Sequence, residues 1–302
     1  MTEHSREHTA LVSEVASAAL AAEATVYAHA IDIDTGTEIG VGSDEPAVTA
    51  SVFKVPVLVE YVRQVAAGQL SATQRVAAKA SEATLGPTGL SVFSDDADWS
   101  LRDTATSMIT VSDNTATDLV MALTGVDEIN TTMGELGLPN THLIGDCRAL
   151  FASLASDLGV TELGANDGLM AVSPEQAETL AVSTPALTNR TTPREAARLL
   201  QLIWNDEAAP AEACAEARRI LGLQVWPHRL ATGFPRDDVK ISGKTGTIGI
   251  VRNEIGVVEF PDGTRHAIAV FVRTQRVQSR QPAADRLIGT VARLLSESLL
   301  QR

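Results

Sequence analysis

The spacing of apolar positions changes period several times along the chain, and each change marks an element. Leu11, Val15, Ala18, Ala19 and Ala22 recur at i, i+4 and i+7, which predicts an amphipathic helix lying on the domain surface. Thr25 to Asp34 then alternates apolar and polar like a half-exposed strand. Asp34-Thr35-Gly36 turns it, and Glu38 to Gly42 runs back, so the pair predicts a β-hairpin. A long apolar helix opens at Ser51, continues through Val57, Leu58, Tyr61, Val62 and Val65, and stops at Gly68. Residues 80–99 lack a period and read as loop.

Helical spacing returns over Leu101 to Thr110, Thr115 to Leu123 and Val126 to Leu136. Leu138 to Thr191 has no sustained period apart from a short helix at Ser173 to Leu180. Thr191-Thr192-Pro193-Arg194-Glu195 then announces a helix: a threonine cap, proline in the first turn and an acid three positions after Thr192. That helix runs to about Trp204, and another covers Ala209 to Leu223. Val239 to Ser242, Gly249 to Phe260 and His266 to Arg273 are strand-like, with Pro261-Asp262-Gly263 as a hairpin turn, and Ala283 to Leu300 is a closing amphipathic helix.

Strands therefore occupy both ends and helices the middle. The expected class is α/β (α+β): one antiparallel sheet built from the two ends, covered by the terminal helices, with an all-helical subdomain inserted. The expected division is 1–51 with 231–302 for the sheet and 52–230 for the helices, the latter carrying a loop over about 138–191.

Composition narrows the function. The 302 residues carry a net charge of −14, which argues against nucleic acid or an anionic membrane as partner. The two cysteines, Cys147 and Cys214, allow one bridge and no disulfide framework. Six scattered histidines give no support for a metal site, and no organic cofactor is expected. Met1 to Glu7 sets Glu3 and Glu7 against Arg6, unlike a secretory leader. The expectation is a cytoplasmic protein if Met1 is the natural start, and a secreted or periplasmic one if a leader has been removed. No membrane span is expected, and a monomer acting on a small molecule is.

Three short motifs carry the candidate chemistry. Ser51-Val52-Phe53-Lys54 sets a hydroxyl and an amine on one helix face. Alone it means little, since about one such match arises by accident in ~300 residues. Ser112-Asp113-Asn114 falls between two helices and Lys244-Thr245-Gly246 opens a late strand, each a chance event in fewer than ~1 in 10 chains of this length. Together they supply what acyl transfer to a serine requires. Ser51 is the candidate nucleophile, and Lys54 its base if burial and a second cation, Lys244, depress its pKa. Ser112 relays a proton to the leaving group. The Ser51 and Thr247 amides form an oxyanion hole, and Asn114 faces a substrate carbonyl.

These motifs and their flanks resemble the class A serine β-lactamases and the penicillin-binding proteins related to them. Ala67-Gly68-Gln69-Leu70-Ser71 is similar to the end of that family's nucleophile helix, and Ile109 to Ala116 to its second motif. Thr191-Thr192-Pro193 resembles the helix start after its active-site loop, and Arg252-Asn253-Glu254 its arginine-bearing strand. The resemblance implies a β-lactam or a related amide as substrate, with Arg252, Thr245 and Thr247 facing a substrate carboxylate.

One departure stands out. The family's deacylating glutamate would fall near Cys147, where no carboxylate stands, and the loop is longer than the family's. Within it Glu162-Leu163-Gly164-Ala165-Asn166 keeps the glutamate-to-asparagine spacing, so Glu162 is a candidate base, against the alternative of a solvated loop acid. Cys147 reads as a buried inert thiol, Asp113 as a structural cap, and Trp226 and His228 as packing. Two alternatives follow: an esterase, amidase or transacylase on the same fold, and a sensor domain that is acylated without efficient deacylation.

Overall fold

A computed structural model describes residues 3–161, 163, 172–226 and 228–301. Its centre is a five-stranded antiparallel sheet in the order β2-β1-β9-β8-β7. β1 (Ala24–Asp32) and β2 (Glu38–Val41) come from the first fifty residues; β7 (Lys240–Ile248), β8 (Val251–Glu259) and β9 (Arg265–Thr274) come from the last third. β1 pairs β9 over its whole length, Tyr27 opposite Phe271, so the join between the two ends lies in the middle of the sheet. β7 is an edge strand, with Thr247 opposite Arg252 on β8.

Both sheet faces are covered: β9 reads as an unbroken apolar run from Ala267 to Val272, and β8 is buried from Val251 to Val258 even though Arg252, Asn253 and Glu254 interrupt its apolar residues. On one face lie α1 (Glu3–Ala21) and α10 (Pro282–Leu300), packing Leu11, Val15, Leu287, Val291 and Leu295 against Val26, Ala28 and Val270. The other face meets the helical half through Leu200 and Ile203 of α8 (Pro193–Trp204), beside Val257 and Phe271. α10 comes close to the turn after Arg229, where a Cβ on Gly289 would lie 2.6 Å from the Gly233 nitrogen.

The helical half forms around α2 (Lys54–Ala66), buried continuously from Lys54 to Val62 because other helices surround it. Leu58, Tyr61, Leu101, Met108, Ile109, Ile129 and Met133 fill that core. Each such side chain contributes about 1.5–3 kcal/mol by leaving water. α3 (Leu101–Thr110), α4 (Asn114–Thr124), α5 (Val126–Glu135) and α9 (Ala211–Leu221) complete the bundle. Among the described residues no helix is long and apolar enough to cross a membrane.

The structure adds elements where the pattern showed none. The stretch read as loop over 80–99 is framed by a two-stranded ribbon, β4 (Arg75–Ala78) with β5 (Ala97–Ser100). Lys244-Thr245-Gly246 lies inside β7 rather than opening a separate strand. The section after Leu138 contains an eleven-residue helix, α6 (Cys147–Asp157), followed by the expected short helix α7 (Pro174–Thr179). At the start of α8, Thr192 caps as expected, accepting from the Glu195 amide at 3.2 Å. The Glu195 carboxylate does not return to the cap. Asn140 and Thr141 take it, at 2.7–3.0 Å, and so fasten the start of the loop to α8.

Candidate active site

Three segments converge beside the outer edge of β7. Ser51 lies in a single 3-10 turn, Ala50–Phe53, immediately before α2. Ala50 has φ 43° and Ser112 φ 61°, left-handed backbone that costs a residue with a Cβ roughly 1 kcal/mol. The surroundings hold the turn in place. Asn253 on β8 donates its amide to Val48 O at 2.8 Å and Thr49 O at 3.1 Å. Gly246 lets β7 run against it, since a Cβ there would lie 2.6 Å from Thr49 O and 3.2 Å from Ser51 N. The Thr245 amide points away from β8, to Gln224 Oε1 at 2.7 Å. The two-residue repeat of a strand turns the Thr247 amide to that same side.

Behind Ser51 stand two buried amines. Lys54 Nζ donates to Ser112 O at 2.8 Å, to Asn114 Oδ1 at 2.8 Å and to Ser112 Oγ at 3.3 Å. Burial holds its pKa below the usual lysine value. Lys244 Nζ donates to Thr245 O at 2.9 Å. Burial, then the charge of Lys54, then that of Arg229 push its pKa down much further. Two ammonium groups sharing a dry interior repel one another, so the pair favours losing a proton. Asn114 is held on both sides, giving one amide proton to Leu85 O at 2.7 Å. Asp113 is a cap: its carboxylate accepts from Ala116 N, Leu90 N and Ser107 Oγ and is fully buried.

The guanidinium that reaches Thr247 is that of Arg229, a residue the sequence reading passed over. Its Nη2 donates to Thr247 Oγ1 at 2.6 Å, and its Nη1 to the carbonyls of Gly246 and Asn253. Arg252 lies behind, buried, donating to Gln278 O at 2.7 Å and Ser279 O at 2.9 Å. Asp285 on α10 pairs with both arginines. Nothing in the sequence marks Arg229, because an arginine in a loop carries no distinguishing pattern.

On the opposite side, α6 closes in. Asp118 on α4 accepts from Cys147 N at 2.8 Å, Arg148 N at 3.1 Å and Thr84 Oγ1 at 2.7 Å, so it anchors the first turn of α6. Asp146 caps the same helix through Ala149 N. Cys147 is a free thiol whose Sγ lies 3.5 Å from Asn114 Oδ1. Burial pushes its pKa up to about 12, so at neutral pH it is an uncharged thiol. Glu162 lies outside the described residues. Ser51, Asn114, Cys147 and Thr247 share one cavity, and none of the described residues lining it is a carboxylate.

Comparisons with known proteins bear on the fold and the family. A β-lactamase from Sphaerobacter thermophilus is 26% identical and superposes with a TM-score of 0.76, covering 95% of this chain and 98% of that one. PBP-A superposes with a TM-score of 0.76 at 23% identity, covering 97% of each chain, and so supports the fold. The β-lactamase regulatory protein BlaB of Streptomyces cacaoi is 29% identical over 282 residues, 89% of this chain and 90% of that protein. The family model described as the β-lactamase enzyme family matches residues 10–299, and the chain belongs to that family.

Proposed function

We propose that this protein is a serine hydrolase of the β-lactamase kind, with Ser51 as nucleophile toward a β-lactam or a related amide. The observation that carries the reading is the meeting of Ser51, Asn114 and Thr247 in one cavity, backed by two buried, pKa-depressed lysines. Ser51 Oγ attacks the carbonyl carbon while its proton passes to a neutral Lys54 Nζ. The amides of Ser51 and Thr247 hold the developing oxyanion; one such donor is worth about 3 kcal/mol in rate. The C–N bond then breaks, and the leaving nitrogen takes the Ser112 hydroxyl proton. Lys54 resupplies that proton across the 3.3 Å contact, with Lys244 stabilising the negative charge that passes through Ser112. Thr245, Thr247 and the Arg229–Arg252 pair bind a substrate carboxylate. Water completes the cycle by cleaving the ester at Ser51. Incubation with benzylpenicillin tests this: the intact mass rises by one drug molecule located at Ser51, or the drug is turned over, and S51A does neither. If neither occurs and S51A leaves every measured hydrolysis unchanged, the reading is wrong.

A second reading concerns how long the ester lasts. Cys147 stands where the resemblance puts a water-activating carboxylate, and a neutral thiol is a poor general base. A persistent acyl-enzyme suits a receptor for the drug, and the Streptomyces cacaoi relative bears the name of a regulatory protein. An adduct stable for hours selects this reading, and rapid multiple turnover eliminates it.

A further inference from the structure

The groups that serve the leaving side, Ser112 and Lys244, are not among those lining the cavity beside Ser51. That cavity, about 240 Å³, is bounded instead by Ser51, Thr247 and α6, the arrangement expected of the acyl side of the scissile bond. Its walls are apolar. α6 contributes Leu150 and Phe151, the start of α2 contributes Phe53, and Ile248 and Val277 face them from the sheet side. Leu150 and Phe53 are buried in the main core, so this wall is fixed before any ligand arrives. Cys147 adds a thiol that is uncharged at neutral pH.

Charge is kept out of this space. Among the described residues lining it, none carries an ionisable acid or base other than the thiol. The guanidinium nearest to the Val277–Ser279 wall, that of Arg252, is engaged by the Gln278 and Ser279 carbonyls and by Asp285. A charged group placed here would lose its hydration without a partner, whereas a hydrocarbon group gains about 0.8 kcal/mol, roughly a threefold to fourfold factor, for each methylene covered.

We infer that the site selects acyl donors whose acyl portion ends in an uncharged hydrocarbon group, an alkyl chain or phenyl ring seated against Leu150 and Phe151 of α6. This rests on Ser51 being the nucleophile, and deepens that reading by naming the substrate class. The α6 part of the wall belongs to the enlarged loop, while Phe53 comes from the turn that carries Ser51 itself.

The test uses p-nitrophenyl esters of acetate, butyrate and hexanoate, with the succinate half-ester as the charged counterpart of butyrate. Acylation is read as p-nitrophenolate release and as added mass at Ser51, with S51A subtracting the background. The rate constant for acylation should rise about threefold per methylene, close to a hundredfold from acetyl to hexanoyl, and succinyl should fall at least tenfold below butyryl. In F151D, where the substituted side chain is half-buried at the edge of the main core, the hexanoyl-to-acetyl ratio should fall at least tenfold. A flat series, a succinyl ester as fast as the butyryl, or an unchanged ratio in F151D overturns the inference while leaving Ser51 as nucleophile. Absence of any ester at Ser51 overturns both.

Discussion

The two walls of the Ser51 cavity are built on opposite principles. On the amine side, the polar groups are bonded to one another: Lys54 makes three contacts, Asn114 is held from two directions, and Gln224 ties the Thr245 amide to Glu254. On the α6 side, the polar atoms are spent on fastening the helix, through Asp118 and Asp146, and what faces the cavity is a thiol, a leucine and a phenylalanine. One wall is equipped to move protons, and the other to hold hydrocarbon. On the proposed mechanism, the proton transfers of ester formation use the first wall, while the second seats the acyl group. Releasing it quickly needs a base that the second wall does not offer among its described residues.

The largest expected effect strikes the amine side. S51A and K54A should each lower the rate of acylation by at least ~1,000-fold, measured by stopped-flow acylation and intact mass, because nucleophile and base act as a unit. A K54A protein that acylates within tenfold of the wild type would end the assignment of that wall to proton transfer. Next comes a substitution meant to blur the contrast. C147E introduces a carboxylate at the helix start beside Asn114, and deacylation should quicken by about 10- to 100-fold, read as steady-state benzylpenicillin hydrolysis. No change in the lifetime of the adduct would mean that the thiol is not what separates the two walls.

A smaller effect distinguishes the arginines. R229A removes the donor to Thr247 and should slow acylation by carboxylate-bearing donors about tenfold, whereas R252A should cost about threefold. A larger loss in R252A would reverse their order. The smallest effect concerns Glu254, which accepts from Gln224 and the Leu230 amide behind Lys244. Burial raises its pKa from 4.5 to about 7. The folded state therefore binds more protons than the unfolded chain between those values. The resulting stability is complete below about pH 4.5 and is lost as pH rises through about 7. E254Q should remove that slope, changing the difference in Tm between pH 5 and pH 7.5 by a few degrees in calorimetry. An unaltered slope would show that Glu254 does not sense the dryness of the amine wall.

Most of the sheet and the helical core could be read from the sequence because their apolar periods are long. The Leu11–Ala22 stripe, the Thr25–Asp34 alternation and the run through Val62 each became the expected kind of element. α6 escaped although its buried positions, Cys147, Leu150, Leu154 and Ala155, keep helical spacing. Ala149 and Ala152 put apolar residues on its exposed side as well and blur the contrast between the two faces. The ribbon of β4 and β5 escaped because four-residue strands are too short for alternation to stand out. At the site, the three motifs mark segments that the fold brings close together, with Ser51 and Asn114 lining the cavity and Lys54 bonded to Ser112 and Asn114 behind them. Arg229 and Gln224 carry no such mark, and Asn253 is marked only through the resemblance of its strand. Their importance comes from what they touch across the fold, 18 to 205 residues away in the chain.

The pairing of β1 with β9 also sets an order of events during synthesis. The strand laid down first waits for residues 265–274 before its inner edge is satisfied. The bundle around α2 depends on contacts nearer in sequence and has a head start. The turn bearing Ser51 is pinned by Asn253, and the two arginines by Asp285, both supplied near the finish. A nascent chain therefore carries Ser51 long before it carries the strands and helix that hold its turn in place. On the proposed mechanism, competence at Ser51 waits for the closing strands and the last helix.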